Sequence, residues 1–309
     1  MNSIFTREFK ALGTDVQIFL VIEPKKRKEK AEKIFNEIRE IYKKKEKILS
    51  RFDQNSELSK LNSNLNIFQN ASRDVLYLAE KSLEYYEKTE KYFDPRIIEI
   101  LEDIGYEKSF FDEDFGKKKV LGEKYLSKNN LKNDLKIKNN QIYFGCRMDF
   151  SGISKGYITD LISIYLIKNG FQNFLIDSGG DIYAYGKNEN QEKWGIEIEG
   201  IPKEKIILIL ENSAVATSGI TRRKWEIRGK KYHHLINPMY PYNFSFNLKS
   251  VTVVDKMCEK ADVFAKVLYM MGIEAGMNFA KEKNIASLFL DYRGNIYLSE
   301  KMKKIHPVK

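Results

Sequence analysis

Two runs of small residues lie close together in this chain: Asp149-Phe-Ser-Gly-Ile-Ser-Lys-Gly-Tyr-Ile-Thr-Asp160 and Asp177-Ser-Gly-Gly-Asp181. They constrain the fold because a backbone stripped of side chains must approach either another backbone or a ligand. Ser151, Gly152, Ser154 and Gly156 leave room for a bulky phosphorylated group, Lys155 supplies a cation, and an apolar helical pattern begins immediately behind them. The Gly179 and Gly180 pair closes the opposite wall. Either run alone is as well explained by a tight turn packed against a helix. The two in succession read as a ligand cradle.

A chain of 309 residues, 42% hydrophobic and 13% aromatic, can bury a substantial core. The expectation is a folded body spanning 1–309, either one large domain or two intimately packed lobes. The net charge of +10 comes from 53 Lys and Arg against 43 Asp and Glu. The lysines are diffuse, as in Lys25-Lys-Arg-Lys28 and Lys43-Lys-Lys45, and alternate with glutamates on helical faces. That pattern suits solvated surfaces and argues against a nucleic-acid partner, which would need a clustered basic and aromatic stripe. Cys146 and Cys258 read as free thiols, since one possible bridge is weak evidence for an oxidising compartment. Met1–Lys10 carries no charged-then-apolar signal pattern, and no apolar run reaches the ~20 residues that span a bilayer. The expectation is a cytoplasmic protein without stable membrane insertion.

Residues 4–22 carry a strand pattern, and the charged stretch after Pro24 shows helical spacing of Ala31, Ile34, Ile38, Ile41, Ile48 and Leu49. A second helix is expected from Ser72 to about Tyr86, a third from Tyr157 to Ile167, and two more near Lys260–Met271 and Glu274–Lys283. Residues 107–139, rich in Lys, Asn and Asp, read as a variable surface insertion with little core. Strands are expected at 174–176, 182–185, 194–198, 206–210, 224–227, 231–236, 250–254, 287–291 and 296–298. Clustered strands with helices grouped between them predict an α+β fold of mixed, largely antiparallel sheets packed with helices.

The order of short motifs adds a resemblance. Leu12-Gly-Thr-Asp15, Ser50-Arg-Phe-Asp53, Ser56-Glu-Leu-Ser-Lys-Leu-Asn62, Phe93-Asp-Pro95, the two glycine runs, Ala216-Thr-Ser-Gly219, His234-Leu-Ile-Asn-Pro238 and Ala261-Asp262 follow one another from near the start to the C-terminus. In this order they resemble the ApbE family, the FAD:protein FMN transferases. The resemblance implies an enzyme that splits FAD with magnesium, transfers the FMN half to a threonine or serine hydroxyl of an acceptor protein, and releases AMP. A FAD pyrophosphatase and a non-catalytic FAD-binding homologue are the alternatives. It also implies that Gly152, Ile153, Ser154, Lys155 and Gly156, with Gly179, Gly180 and Asp181, line the FAD site. Gly13, Thr14, Thr217, Ser218 and Gly219 would complete its walls. Tyr157 is a further candidate, as an aromatic that could face a flavin or adenine ring.

Two departures fall on the chemistry. The family holds its metal with an aspartate, a threonine one helical turn later and a backbone carbonyl of the glycine motif. Asp262 and Ser154 match the first and last, but Lys266 stands where the threonine belongs, and a protonated lysine has no lone pair to offer. Lys266 could pair with Asp262 or swing outward, leaving magnesium fewer protein ligands, or its ammonium could replace the metal. The second departure is Asn237, where the family carries an aspartate in its histidine motif. Asn237 cannot act as a base, so His234 remains the candidate for proton handling, beside Asp262 and Lys155 as the other catalytic candidates. His233 should face the opposite way if the segment is extended.

Overall fold

The computed structural model describes residues 3–22, 28–107, 127–198 and 206–305. Lys25, Lys26 and Arg27 of the first lysine run, residues 108–126 of the expected insertion, and His306 lie outside the described residues.

The chain opens with β1 (Ser3–Ala11) and β2 (Thr14–Ile22), which pair in antiparallel register from Ser3 opposite Ile22 to Ala11 opposite Thr14. The continuous strand pattern of residues 4–22 is thus a hairpin. Leu12 and Gly13 turn the chain with φ of 54° and 65°, the left-handed pair that a two-residue hairpin loop requires. Helix α1 (Lys28–Leu49) follows, burying Ala31, Ile34, Ile38 and Leu49 as its spacing dictates. Ser56 and Ser72 cap α2 (Glu57–Ser63) and α3 (Arg73–Lys88) by accepting the backbone N–H groups of Ser59 and Val75.

Three short strands, β3 (Phe68–Asn70), β4 (Leu135–Lys138) and β5 (Gln141–Phe144), form a small sheet in the order β3-β5-β4, with α5 (Leu131–Asp134) beside it, while α4 (Ile98–Asp103) packs Ile100 and Leu101 with Ile227, Tyr232 and Ile236. The far end of the expected insertion is therefore core, because Leu131 and Leu135 are buried against the helices. Helix α6 (Ser151–Lys168) then leads into β6 (Phe174–Ser178) and β7 (Asp181–Tyr185), joined by Gly179 and Gly180. The hairpin β8 (Trp194–Glu197) with β9 (Ile207–Leu210) precedes β10 (Ser213–Gly219). A second hairpin, β11 (Lys224–Ile227) with β12 (Lys230–His233), precedes β13 (Leu248–Asp255). The strand expected at 231–236 ends at His233, and Leu235 and Ile236 are buried in the following loop.

The last elements are α7 (Cys258–Glu282), β14 (Ala286–Asp291), β15 (Ile296–Leu298) and α8 (Glu300–Ile305). Gly272, at φ 80°, breaks α7 into the two helices its pattern predicts. An eight-stranded sheet in the order β1-β2-β6-β7-β10-β13-β14-β15 organises the molecule, and its pairings are antiparallel throughout rather than mixed. Both faces are covered. On one side Ile18, Ile176, Ala216 and Val253 pack with α1, α6 and α7; on the other Leu175, Val215, Leu288 and Leu290 pack with the β8–β9 hairpin and Met302 of α8. All six residues of β14 are buried, and each large apolar side chain so placed contributes about 1.5–3 kcal/mol. Helices α6 and α7 meet over the sheet centre, and this seam positions the site.

Candidate active site at the seam of two helices and a glycine turn

Helix α6 begins at Ser151, six residues earlier than its apolar pattern suggests, so the first small-residue run is helical rather than a loop ahead of a helix. Asp149 sets this start: its carboxylate accepts the Ser151 N–H at 2.7 Å, and its own N–H donates to the Pro95 carbonyl at 2.7 Å. Arg51 holds the other Asp149 oxygen at 3.2 Å, with its guanidinium packed against the Phe52 and Tyr106 rings. The Ser50-Arg-Phe and Phe93-Asp-Pro motifs thus brace the helix entrance.

The glycines divide into two kinds. A Cβ on Gly156 would stand 2.6 Å from Glu259 Cα, so this glycine lets α6 and α7 touch backbone to backbone. Asp160, one turn on, accepts the N–H groups of Cys258 and Glu259 at 2.8 and 2.9 Å and caps α7. Burial pushes its carboxyl up to about 7 despite these two bonds. Gly179 is likewise packed, against Thr14, and Gly219 against the Lys249 carbonyl. Gly13 and Gly180, in contrast, face open space. The Gly180 N–H is held by the Asp177 carboxylate at 2.7 Å, and its carbonyl accepts from Thr217 N at 3.3 Å. The Leu12–Gly13 turn, the Gly179–Gly180 turn and the β10 strand therefore form neighbouring walls.

At the seam four charged side chains meet. Lys155 of α6 pairs with Asp181 at the start of β7, and Lys266 of α7 pairs with Asp262 one turn before it. The carboxylates lie behind and the ammoniums in front: the Asp181 and Asp262 side chains are 2% and 1% exposed, those of Lys155 and Lys266 18% and 17%. Burial and the nearby Asp262 push the Asp181 carboxyl up to about 6, with Lys155 and Lys266 pulling the other way. Burial draws the Lys155 ammonium down, but Asp181 and Asp262 outweigh it and hold the net shift upward. Arg223, whose guanidinium bonds the Gly13 carbonyl at 3.4 Å, adds a third cation at the edge.

His234 is tied to this edge through its Nδ1, 3.3 Å from the Arg223 carbonyl. A carbonyl only accepts, so Nδ1 carries the proton and Nε2 keeps its lone pair. Burial and the Arg223 charge hold the ring well below the ordinary imidazole range, so it is neutral near pH 7. His233 points elsewhere, as expected for adjacent residues of an extended segment. It is buried among Phe244, Phe246 and Tyr269, with Nε2 3.1 Å from the Ser245 carbonyl.

Several sequence candidates are not brought to the cluster. Tyr157 stacks on Tyr77 at 4.7 Å between ring centres and donates to Asp74 at 2.7 Å, which makes it a packing residue. Ile153 is wholly buried in the main core. Asn237 caps the turn at Met239 N. Thr217 bonds Thr252 across the sheet at 2.9 Å, while Ser218 is buried and Ser151 exposed at the helix start. Arg223 is a site residue that the sequence motifs do not single out. Its proximity depends on the β11–β12 hairpin folding back, which no local pattern signals.

The family model described as "ApbE family" matches residues 12–289. The chain belongs to the ApbE family. It is 27% identical over 272 residues to a Haemophilus influenzae protein named FAD:protein FMN transferase, covering 83% of this chain and 78% of that one. A Vibrio cholerae protein of the same name is 35% identical over 147 residues, 46% of this chain and 44% of the relative, so that match spans less than half of the relative's length. The fold matches the apo crystal structure of the Pseudomonas stutzeri flavinyl transferase ApbE with a TM-score of 0.85 at 20% identity, covering 100% of this chain and 98% of that one.

The donor set can be tested against the magnesium that the resemblance implies. Asp262 Oδ2 is buried and has no hydrogen-bond partner, as an oxygen reserved for a cation would be. Its other oxygen is taken by the Lys266 ammonium, and Ser154 lies inside α6, where the helix engages its carbonyl. Among the described residues no group of three or more His, Cys, Asp or Glu is arranged to hold a metal. A divalent ion at Asp262 would also sit beside Lys266 and near Lys155, with like-charge repulsion in a partly buried site. The residues present do not fit a protein-held magnesium.

Proposed function

We propose that this protein transfers FMN from FAD to a threonine or serine hydroxyl of an acceptor protein and releases AMP. The observation that carries the reading is the convergence of Lys155, Lys266, Arg223 and a neutral His234 beside the open Gly13 and Gly180 turns, in a member of the ApbE family.

In this reaction the hydroxyl oxygen attacks the phosphorus on the FMN side of the diphosphate. The bond from that phosphorus to the bridging oxygen breaks, AMP departs with the electron pair, and the hydroxyl proton must be removed. Charge grows on the phosphate oxygens, and cations fixed in advance stabilise it most because they need no reorganisation. Lys155 and Lys266 meet that requirement, since Asp181 and Asp262 anchor them from behind. His234 Nε2 is the group suited to take the hydroxyl proton, because its Nδ1 proton is committed to the Arg223 carbonyl. The turns at Gly13 and Gly180 offer backbone that a flavin or adenine ring can approach closely. Exposed Met239 and Tyr240, on the loop that follows His234, give an acceptor segment an apolar surface.

Incubating the protein with FAD and following AMP release, with and without a threonine-containing acceptor peptide, tests the proposal. AMP release that depends on the acceptor supports transfer. AMP release at the same rate without acceptor indicates a pyrophosphatase, and tight FAD binding with no AMP indicates a non-catalytic binder.

A further inference from the structure

Lys266 stands one helical turn after Asp262 on α7, and its Nζ bonds both Asp262 Oδ1 and, at 3.4 Å, the Asp262 carbonyl. Its stem passes the first turn of α6, where a Cβ on Gly152 would come within 3.9 Å of Lys266 Cδ and within 3.4 Å of the Phe93 ring. These are ordinary van der Waals separations, and they place the lysine stem alongside the first turn of α6 at the mouth of the site. The carboxylate is almost wholly buried behind it, so a ligand entering from solvent meets the ammonium before it meets Asp262.

We propose that the protein cleaves the diphosphate of FAD without a protein-bound metal, with the Lys266 ammonium, held by Asp262, supplying the positive charge at the phosphates beside Lys155. This inference rests on the transferase reading for its substrate. An ammonium has three donors. With Oδ1 and the Asp262 carbonyl taking two of them, one remains for a phosphate oxygen, and a lysine is a compact point charge suited to that work. The pairing repeats at Lys155 and Asp181, so the site presents two anchored cations of the same design. A metal at the open Asp262 Oδ2 would face the Lys266 ammonium across the same carboxylate.

The test joins a binding readout to an activity readout. Manganese(II) added to the protein, alone and with FAD, is followed by electron paramagnetic resonance. The expected result is the unchanged signal of free manganese for the natural chain, and loss of free signal for Lys266→Thr, which restores an oxygen donor. AMP release and FMN transfer should continue in EDTA, and Lys266→Thr should lower the EDTA-resistant rate by about tenfold or more while gaining a magnesium-dependent one. Stoichiometric manganese binding by the natural chain, or turnover that EDTA abolishes and magnesium restores, overturns the proposal. Absence of AMP release and of transfer under every metal condition sinks the transferase reading instead, and the manganese signal of the natural chain then still decides whether a metal site exists. Should Lys266→Thr fail to fold, the measurements on the natural chain suffice.

Discussion

The chain builds buried ion pairs in two ways. At the scaffold, Arg96 engages two carboxylates and a carbonyl: Nε and Nη2 hold the two Asp94 oxygens at 2.9 and 2.7 Å, and Nη1 holds Asp134 at 2.6 Å and the Asn129 carbonyl at 3.0 Å. All three charged members of that cluster are buried, with Arg96 only 4% exposed. At the seam, lysines replace arginines, each makes a pair to one carboxylate, the lysine side chains stay partly exposed, and Asp262 keeps an oxygen without a partner. A buried network in which one guanidinium joins two carboxylates fixes a structure, whereas an anchored cation with an unused donor is equipped to meet an anion. The difference separates ion pairs that hold the fold from those that serve the reaction.

The largest expected effect breaks the scaffold side. Arg96→Ala leaves two buried carboxylates without their cation and should cost about 3–5 kcal/mol, read from denaturant unfolding, with turnover per folded molecule preserved. A loss of turnover without loss of stability would erase the distinction. Asp262→Asn should do the reverse: it removes the anchor of Lys266 and should lower FMN transfer by about 100-fold or more, with an unfolding midpoint close to that of the natural chain.

Gly156→Ala probes the seam itself. The added methyl would fall on the Glu259 backbone, forcing α6 and α7 apart at a cost of about 1–3 kcal/mol. An unchanged midpoint would mean the helices can slide without penalty. The smallest effect is a pH dependence. Because the Asp160 pKa is raised in the folded state, its protonated form is favoured by folding, so this contribution is present at low pH and is lost as pH rises through about 7. Asp160→Asn removes that titration. The stability advantage of the natural chain over the variant should therefore shrink between pH 5 and pH 8, as thermal melts across about three pH units would show. A gap that widens with pH would contradict the sign.

The sequence displayed much of this arrangement, and its failures have physical causes. The spacing of Asp262 and Lys266 made their pairing legible, since residues one turn apart on a helix face one another. The role of Gly156 was not legible, because contact between two helices and contact with a ligand both demand a missing side chain, and only the placement of Glu259 distinguishes them. The hairpin at Leu12–Gly13 was hidden by apolar residues on both sides of a turn too short to interrupt the pattern. The central strand β10 was read only as the Ala216-Thr-Ser-Gly219 motif, because small residues carry little strand signal although they pair with β7 and β13. Arg223 and His234 reach the cluster through long-range folding of the β11–β12 hairpin, which lies beyond local periodicity.

Mass spectrometry of an acceptor peptide after incubation with the protein and FAD tests the central claim most directly. A peptide with a single threonine should gain the mass of FMN less water in step with AMP release, and its threonine-to-valine counterpart should gain nothing. AMP appearing while every acceptor, including intact flavoproteins, keeps its original mass would contradict the account.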